Sequence, residues 1–297
     1  MPGFLARDRA GLRAPLPVVL VALFSGCGEP PPAAEPRDRP AERIVSLDYC
    51  ADQYVLGLVE RDRIVALSPD SQASYSYLRE DARGLPQVRA VAEEVLALGP
   101  DLIVRSYGGG PQAAHFFRRA GVPVAQLEFA ADFDGIRRAI RDLASAVGVR
   151  EQGEDLIAEM DARLAVVAAG REDGPAPDAF YITPGGATGG SGTMVDELFA
   201  AAGLRNFQTA PGYRSIPLER LAYGRPDLMA PAFYEAERTM ITPWSSSRHS
   251  VARRALAELP GVALDGAWIA CRGWFLLDAV EALAHARRGL EAPAGSP

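Results

Sequence analysis

From Arg43 onward, apolar residues fall in short runs separated by stretches where they recur at helical spacing. Ile44–Leu47 (IVSL), Ile64–Leu67 (IVAL), Asp101–Arg105 (DLIVR) and Val122–Leu127 read as strands. Ala51–Val59, Ala92–Leu98 and Gln112–Ala120 read as the helices between them. Strands alternating with helices predict a parallel sheet covered on both faces. From Phe133 to about Ala169 the pattern is helical, punctuated only by Gly148, and Glu151–Ala168 alone makes roughly 27 Å of helix. Alternation resumes from Asp178: Phe180–Thr183, Val195–Ala202, Leu218–Tyr223, Leu228–Phe233, Ala252–Leu259 and a last helix from Phe275 to about Arg287. The expected fold class is α/β, with two Rossmann-like lobes (42–130 and 171–297) joined by a helical connector (131–170) and a ligand cleft between them.

The first forty residues read differently. Arg7, Arg9 and Arg13 precede the apolar run Pro15–Phe24, which is half the length a membrane-spanning helix needs. Ser25, Gly26 and Cys27 follow at once, so residues 1–26 read as a signal peptide. The junction resembles the bacterial lipobox, with Phe24 where that pattern prefers Leu, and implies a lipid on Cys27. Residues 28–41 (GEPPPAAEPRDRPA) are proline-rich and almost without large apolar side chains, so 27–41 is expected to be a lipidated cysteine on an extended tether. The expected location is the periplasm, anchored to the membrane.

Composition narrows the chemistry. All 31 basic residues of the 297 are Arg, so no phosphate-loop, Schiff-base or general-base lysine exists. The chain is acidic, and loss of residues 1–26 removes three Arg and one Asp, taking the net charge from −7 to −9. No basic surface argues for nucleic acid. The glycine cluster Gly185–Gly192 misses the dinucleotide spacing and reads as a flexible turn. Three histidines, His115, His249 and His285, lack the spacing of a metal cage, so no resident metal or cofactor is expected.

One segment occurs twice. Glu93-Glu94-Val95-Leu96-Ala97-Leu98-Gly99-Pro100-Asp101-Leu102 and Glu219-Arg220-Leu221-Ala222-Tyr223-Gly224-Arg225-Pro226-Asp227-Leu228 share Glu, Pro, Asp and Leu at the same offsets. Each reads as a short helix stopped by Pro ahead of a strand, so the lobes are built alike. Two such lobes, a helical connector and a cleft suggest a monomeric binding protein.

With Arg43–Leu47, Glu93–Val104, Ile182–Gly186, Gly192-Thr193 and Glu197-Leu198 in this order, the chain resembles the substrate-binding proteins of ABC importers for cobalamin, ferric siderophores or haem, whose lobes are joined by one long helix. The resemblance spans about residues 42–288. It implies a carrier without a catalytic centre, which takes up a metal chelate bearing its own Fe or Co, cobalamin or a ferric siderophore ahead of haem, and passes it to a permease and ATPase. It further implies that Glu93 and Glu219, one per lobe, dock on permease arginines. A connector of helix rather than paired strands implies small lobe closure.

Ligands of open α/β sheets sit beyond the carboxyl ends of strands. Aromatic side chains at such positions suit flat chelates. Tyr49, Tyr107, Tyr213, Trp244, Trp268 and Trp274 are the candidates, with Arg105 and Arg214 beside two of them for ligand carboxylates. Tyr213 lies near where the cobalamin-binding relatives place a cleft tryptophan. A haem ligand would want an axial Tyr or His, for which Tyr75 or Tyr77 could serve. Cys50 and Cys271 are expected near the cleft, one per lobe, and three readings stay open: a disulfide, two thiols touching the ligand, or unrelated packed cysteines. Restricted lobe closure counts against the disulfide. If the thiols are free and close, the rivals are a chelatase-like or thiol redox enzyme; a ligand sensor without a permease is a third reading.

Overall fold

The computed structural model describes residues 40–171, 174–233 and 244–291; the segment read as a signal peptide, Cys27 and nearly all of the segment read as a tether lie outside them. The first lobe runs β1 (Ile44–Ser46), α1 (Tyr49–Leu58), β2 (Ile64–Ala66), α2 (Ala92–Ala97), β3 (Leu102–Arg105), α3 (Ala113–Arg119) and β4 (Val124–Gln126). Its four strands are all parallel, in the order β2-β1-β3-β4. β1 and β3 are buried on both faces, which is why they read as unbroken apolar runs.

The helical segment is two helices, α4 (Phe133–Val147) and α5 (Arg150–Ala169). Gly148 between them adopts φ 77°, and a Cβ there would press on Pro40 at 2.9 Å, so glycine is required at the corner. α4 buries Ile136, Ile140 and Leu143 in the main core and packs against α1 and α5. Arg137 to Asp161 and Arg141 to Glu154 tie it to α5. α5, 20 residues long, leads into the second lobe.

The second lobe runs β5 (Asp178–Ile182), β6 (Ala187–Gly189), α6 (Met194–Ala201), β7 (Arg205–Asn206), β8 (Tyr213–Ser215), α7 (Leu218–Tyr223), β9 (Leu228–Pro231), α8 (Ser250–Glu258), α9 (Gly266–Ile269) and α10 (Leu276–Glu291). Its parallel sheet has the order β7-β5-β9, extended by single bridges from Met229 to Gly261 and from Ala232 to Leu264. Counting that last segment as a strand, first, second, third and fourth strands occupy the same places in both sheets. The repeated motif explains part of this symmetry. Asp101 accepts from the Glu42 N–H at 2.8 Å, and Asp227 from the Asp178 N–H at 2.7 Å. Each motif aspartate thus ties the start of its own strand to the start of the first strand of its lobe.

One correction concerns the glycine cluster. Ala187–Gly189 is a strand rather than a flexible turn, antiparallel to Tyr213–Ser215 with Gly189 opposite Tyr213. Residues with little side chain gave no alternation to detect, although backbone pairing needs none.

Asp52 is a polar exception in the core. It lies fully buried on α1, where its carboxylate accepts from the Ser68 N–H at 3.1 Å and the Ser68 hydroxyl at 2.5 Å. Burial raises its pKa from 3.8 to about 6 against the opposing hydrogen bonds. The native state therefore binds this proton more tightly than the unfolded chain. Its contribution weakens stability as pH rises from about 4 to 6, by roughly 3 kcal/mol in total, and is flat above that. Asp52→Asn is expected to flatten this part of the curve, with the variant gaining on the parent between pH 4 and 7 in urea unfolding.

Candidate ligand-binding site

Three tyrosines meet at the carboxyl end of the first sheet. Tyr49 opens α1 directly after β1, Tyr75 lies in the long turn-rich segment after β2, and Tyr107 follows β3. The ring of Tyr49 meets Tyr75 edge-on at 5.0 Å between centroids and Tyr107 at 6.1 Å. Tyr107 is 52% exposed, so half of its ring faces solvent from this cluster. Burial raises the pKa of Tyr49, helped by the nearby Tyr75, Asp48 and Asp70, while a hydrogen bond from Tyr107 opposes it. Tyr107 is raised further, by burial first and then by Tyr49, Asp48 and Asp70. Both phenols are neutral at physiological pH, in surroundings rich in negative and electron-rich oxygen.

Arg105, a candidate for ligand carboxylates, turns back onto its own loop. It is buried, and its guanidinium donates to Gly108 O at 2.8 Å, Gly110 O at 3.0 Å and Gln126 Oε1 at 2.9 Å. Its donors serve the Tyr107 loop, a role that placement after a strand did not reveal. Gly108 itself cannot carry a side chain, because a Cβ would collide with the Leu47 carbonyl.

Cys50 and Cys271 form a disulfide across the two lobes, with Cα atoms 5.4 Å apart and both residues buried. Their expected contact with a ligand as thiols is thereby corrected, and the weighing against a bridge is overturned. Phe275, Tyr77 and Trp274 pack around the sulfurs, as does Tyr49. Trp274 lies edge-on to Tyr54 and against Gly57, so it belongs to this inter-lobe packing. Further ties run alongside. The Tyr54 hydroxyl donates to Arg272 O at 2.7 Å, and Arg272 lies 4.0 Å over the ring of Phe129. Tyr77 stacks on Phe275 and donates to Asp278 at 2.8 Å, and its pKa is pushed up to about 12 by burial and that carboxylate. Of the two tyrosines considered for an axial role, Tyr77 is thus committed to the lobe junction and Tyr75 to the cluster.

In the second lobe, Tyr213 is 55% exposed on β8, beside the buried Tyr181 of β5. Arg214 is exposed and donates to Pro211 O at 2.9 Å. Trp244 is almost wholly exposed, and Trp268 is half-buried on α9 against the main core. Glu93 and Glu219 are both exposed in the first turns of α2 and α7, at matching places in the two lobes. Glu94, by contrast, is paired with Arg89.

Comparison with known proteins adds the family. A family model described as "Periplasmic binding protein" matches residues 44–232. The chain belongs to the periplasmic binding protein family. Members of this family are solute-binding proteins, and the two-lobed α/β fold is theirs. A periplasmic haem-binding protein from Pseudomonas aeruginosa is 25% identical, over 86% of this chain and 95% of that one, with a TM-score of 0.63. RhuT, a periplasmic haem-binding protein from Roseiflexus sp. RS-1, is 24% identical over 83% and 99%, with a TM-score of 0.65. BtuF, the periplasmic vitamin B12 binding protein of Vibrio cholerae, is 22% identical over 85% and 99%, with a TM-score of 0.63. No curated protein matches the chain. Among the described residues of this periplasmic binding protein, no helix is long and apolar enough to cross a membrane.

Tyr49 and Tyr107 follow strands as the sequence reading has them, and their rings meet. That reading missed Asp48, Gln126 and Phe129. Asp48 had a detectable signal, since an Asp between a strand and a helix is a helix cap.

Proposed function

We propose that this protein is the solute-binding component of an ABC importer, exported and held at the membrane through Cys27, and that its solute is haem. The observation that carries the choice of solute is the cluster Tyr49–Tyr75–Tyr107 at the mouth of the first lobe. A ferric siderophore already surrounds its iron with oxygen, and cobalamin carries its own axial base. Haem leaves axial positions open, and phenol oxygen is a hard donor suited to ferric iron. Tyr107, half exposed and followed by three glycines, is the phenol placed to reach it. The same surroundings that disfavour a bare phenolate favour the positive ferric centre. The haem-binding neighbour at 25% identity supports the reading.

Because the phenol is protonated in the free protein, ferric capture by Tyr107 releases a proton. Haemin affinity is expected to rise with pH by up to about tenfold per unit, measured by visible titration from pH 6 to 9. An affinity independent of pH would speak against a tyrosinate ligand.

Glu93 and Glu219 are the proposed contacts to the permease, one exposed carboxylate per lobe on equivalent helices. The double variant Glu93→Arg/Glu219→Arg is expected to bind haemin as the parent does and to lose haemin uptake in cells. Undiminished uptake would favour a sensor that meets no permease.

A further inference from the structure

Two of the three mouth tyrosines, Tyr49 and Tyr107, lie on segments that one buried carboxylate joins. Asp48 stands between β1 and α1, 2% exposed. Its Oδ1 caps α1 by accepting from the Ala51 N–H at 3.0 Å. The same carboxylate reaches across to the loop after β3. Oδ2 accepts from the N–H groups of Ser106 at 2.8 Å, Tyr107 at 3.1 Å and Gly108 at 2.9 Å, and Oδ1 from the Ser106 hydroxyl at 2.6 Å. Three successive amides of the Tyr107 loop thus converge on one side chain.

The carbonyls of the loop are held from the other side. Arg105 binds those of Gly108 and Gly110, and the Gln126 amide donates to Ser106 O at 2.6 Å. Burying a carboxylate and a guanidinium costs several kcal/mol per ion unless their hydrogen bonds are made. A helix cap alone would not explain this arrangement, since an uncharged Ser or Asn caps equally well. What the charge adds is the grip on the second loop.

We propose that Asp48 is a positioning residue of the ligand site, holding the Tyr107 loop against the start of α1 so that the Tyr107 phenol is set relative to Tyr49 before the ligand arrives. This inference rests on the reading of Tyr107 as the haem ligand. Preorganisation of this kind lowers the ordering cost of binding.

Asp48→Ser is the discriminating variant, because serine still caps α1 and is too short to reach the loop. Asp48→Asn is the conservative partner, keeping the reach and part of the accepting capacity. The expected result for Asp48→Ser is native far-UV dichroism and unchanged amide exchange in α1. Exchange at Ser106, Tyr107 and Gly108 should quicken at least tenfold, haemin affinity should fall at least tenfold, and the visible spectrum of bound haemin should change. Asp48→Asn should recover part of the affinity and the parental spectrum. If Asp48→Ser binds haemin with parental affinity and spectrum, or leaves loop exchange unchanged, the proposal is overturned. Failure of the parent protein itself to bind haemin would instead overturn the assignment of the solute, and the exchange measurement would still decide whether Asp48 holds the loop.

Discussion

Tyr107→Phe is expected to lower haemin affinity by more than the roughly 10–100-fold that loss of an outer-shell partner of a metal site typically costs. The substitution removes one oxygen and leaves the ring. Since half of that ring is exposed and its edge contact to Tyr49 persists, stability should fall only by the roughly 1 kcal/mol of the lost hydrogen bond to Tyr49. The bound haemin should also lose its tyrosinate spectrum, which separates a lost iron ligand from lost ring contact. Tyr49→Phe should have a smaller effect, because Tyr49 touches the disulfide cluster as well as its two tyrosine neighbours and acts chiefly through packing. Equal losses from both variants would mean that the two oxygens contribute alike and that Tyr107 is not the single iron donor; no loss from either would mean that the pair acts only as an aromatic surface.

The second large effect concerns the strap between the lobes. Cys50 and Cys271 lie 221 residues apart in sequence, so their bond constrains nearly the whole folded chain. Loop-closure entropy for that separation is roughly 5 kcal/mol, an upper figure for most disulfides. Cys50→Ser/Cys271→Ser is expected to lose about 3–5 kcal/mol in urea unfolding. Neighbouring ties should keep the variant folded: Tyr54 to the Arg272 carbonyl, and Tyr77 on Phe275 with its bond to Asp278. Haemin affinity should change much less than stability, because the sulfurs face packed aromatics and not the exposed edge of Tyr107. A loss of affinity as large as that of Tyr107→Phe would place the sulfurs in the binding site after all.

How far the sequence could be read depends on what each feature rests on. Strands such as Leu102–Arg105 and helices such as Arg150–Ala169 were legible because period and punctuation are local properties. The twofold build was legible in the repeated Glu, Pro, Asp and Leu, and the structure supplies the reason for its aspartates. Tyr49 and Tyr107 were legible because a strand's carboxyl end is a place known in advance. The partners of Arg105 were not legible for a geometric reason: whether a strand-end arginine turns outward or back onto its own loop depends on the carbonyls of Gly108 and Gly110, which sequence does not place. The Cys50–Cys271 bond stayed open because it turns on a Cα separation that only the packed lobes define. The β6–β8 pair was hidden by glycines, whose backbone pairs without any side-chain pattern. Asp48 was hidden by its own second task, since its capping role is local and its grip on residues 106–108 spans nearly sixty positions.

The measurement that tests the central claim most directly is a titration of the purified exported chain with haemin, cobalamin and a ferric hydroxamate, followed by visible absorption and tryptophan quenching. The account predicts saturable binding of haemin with a tyrosinate spectrum that Tyr107→Phe abolishes, and no comparable response to the other two. Tight binding of cobalamin or the hydroxamate with no response to haemin would contradict it.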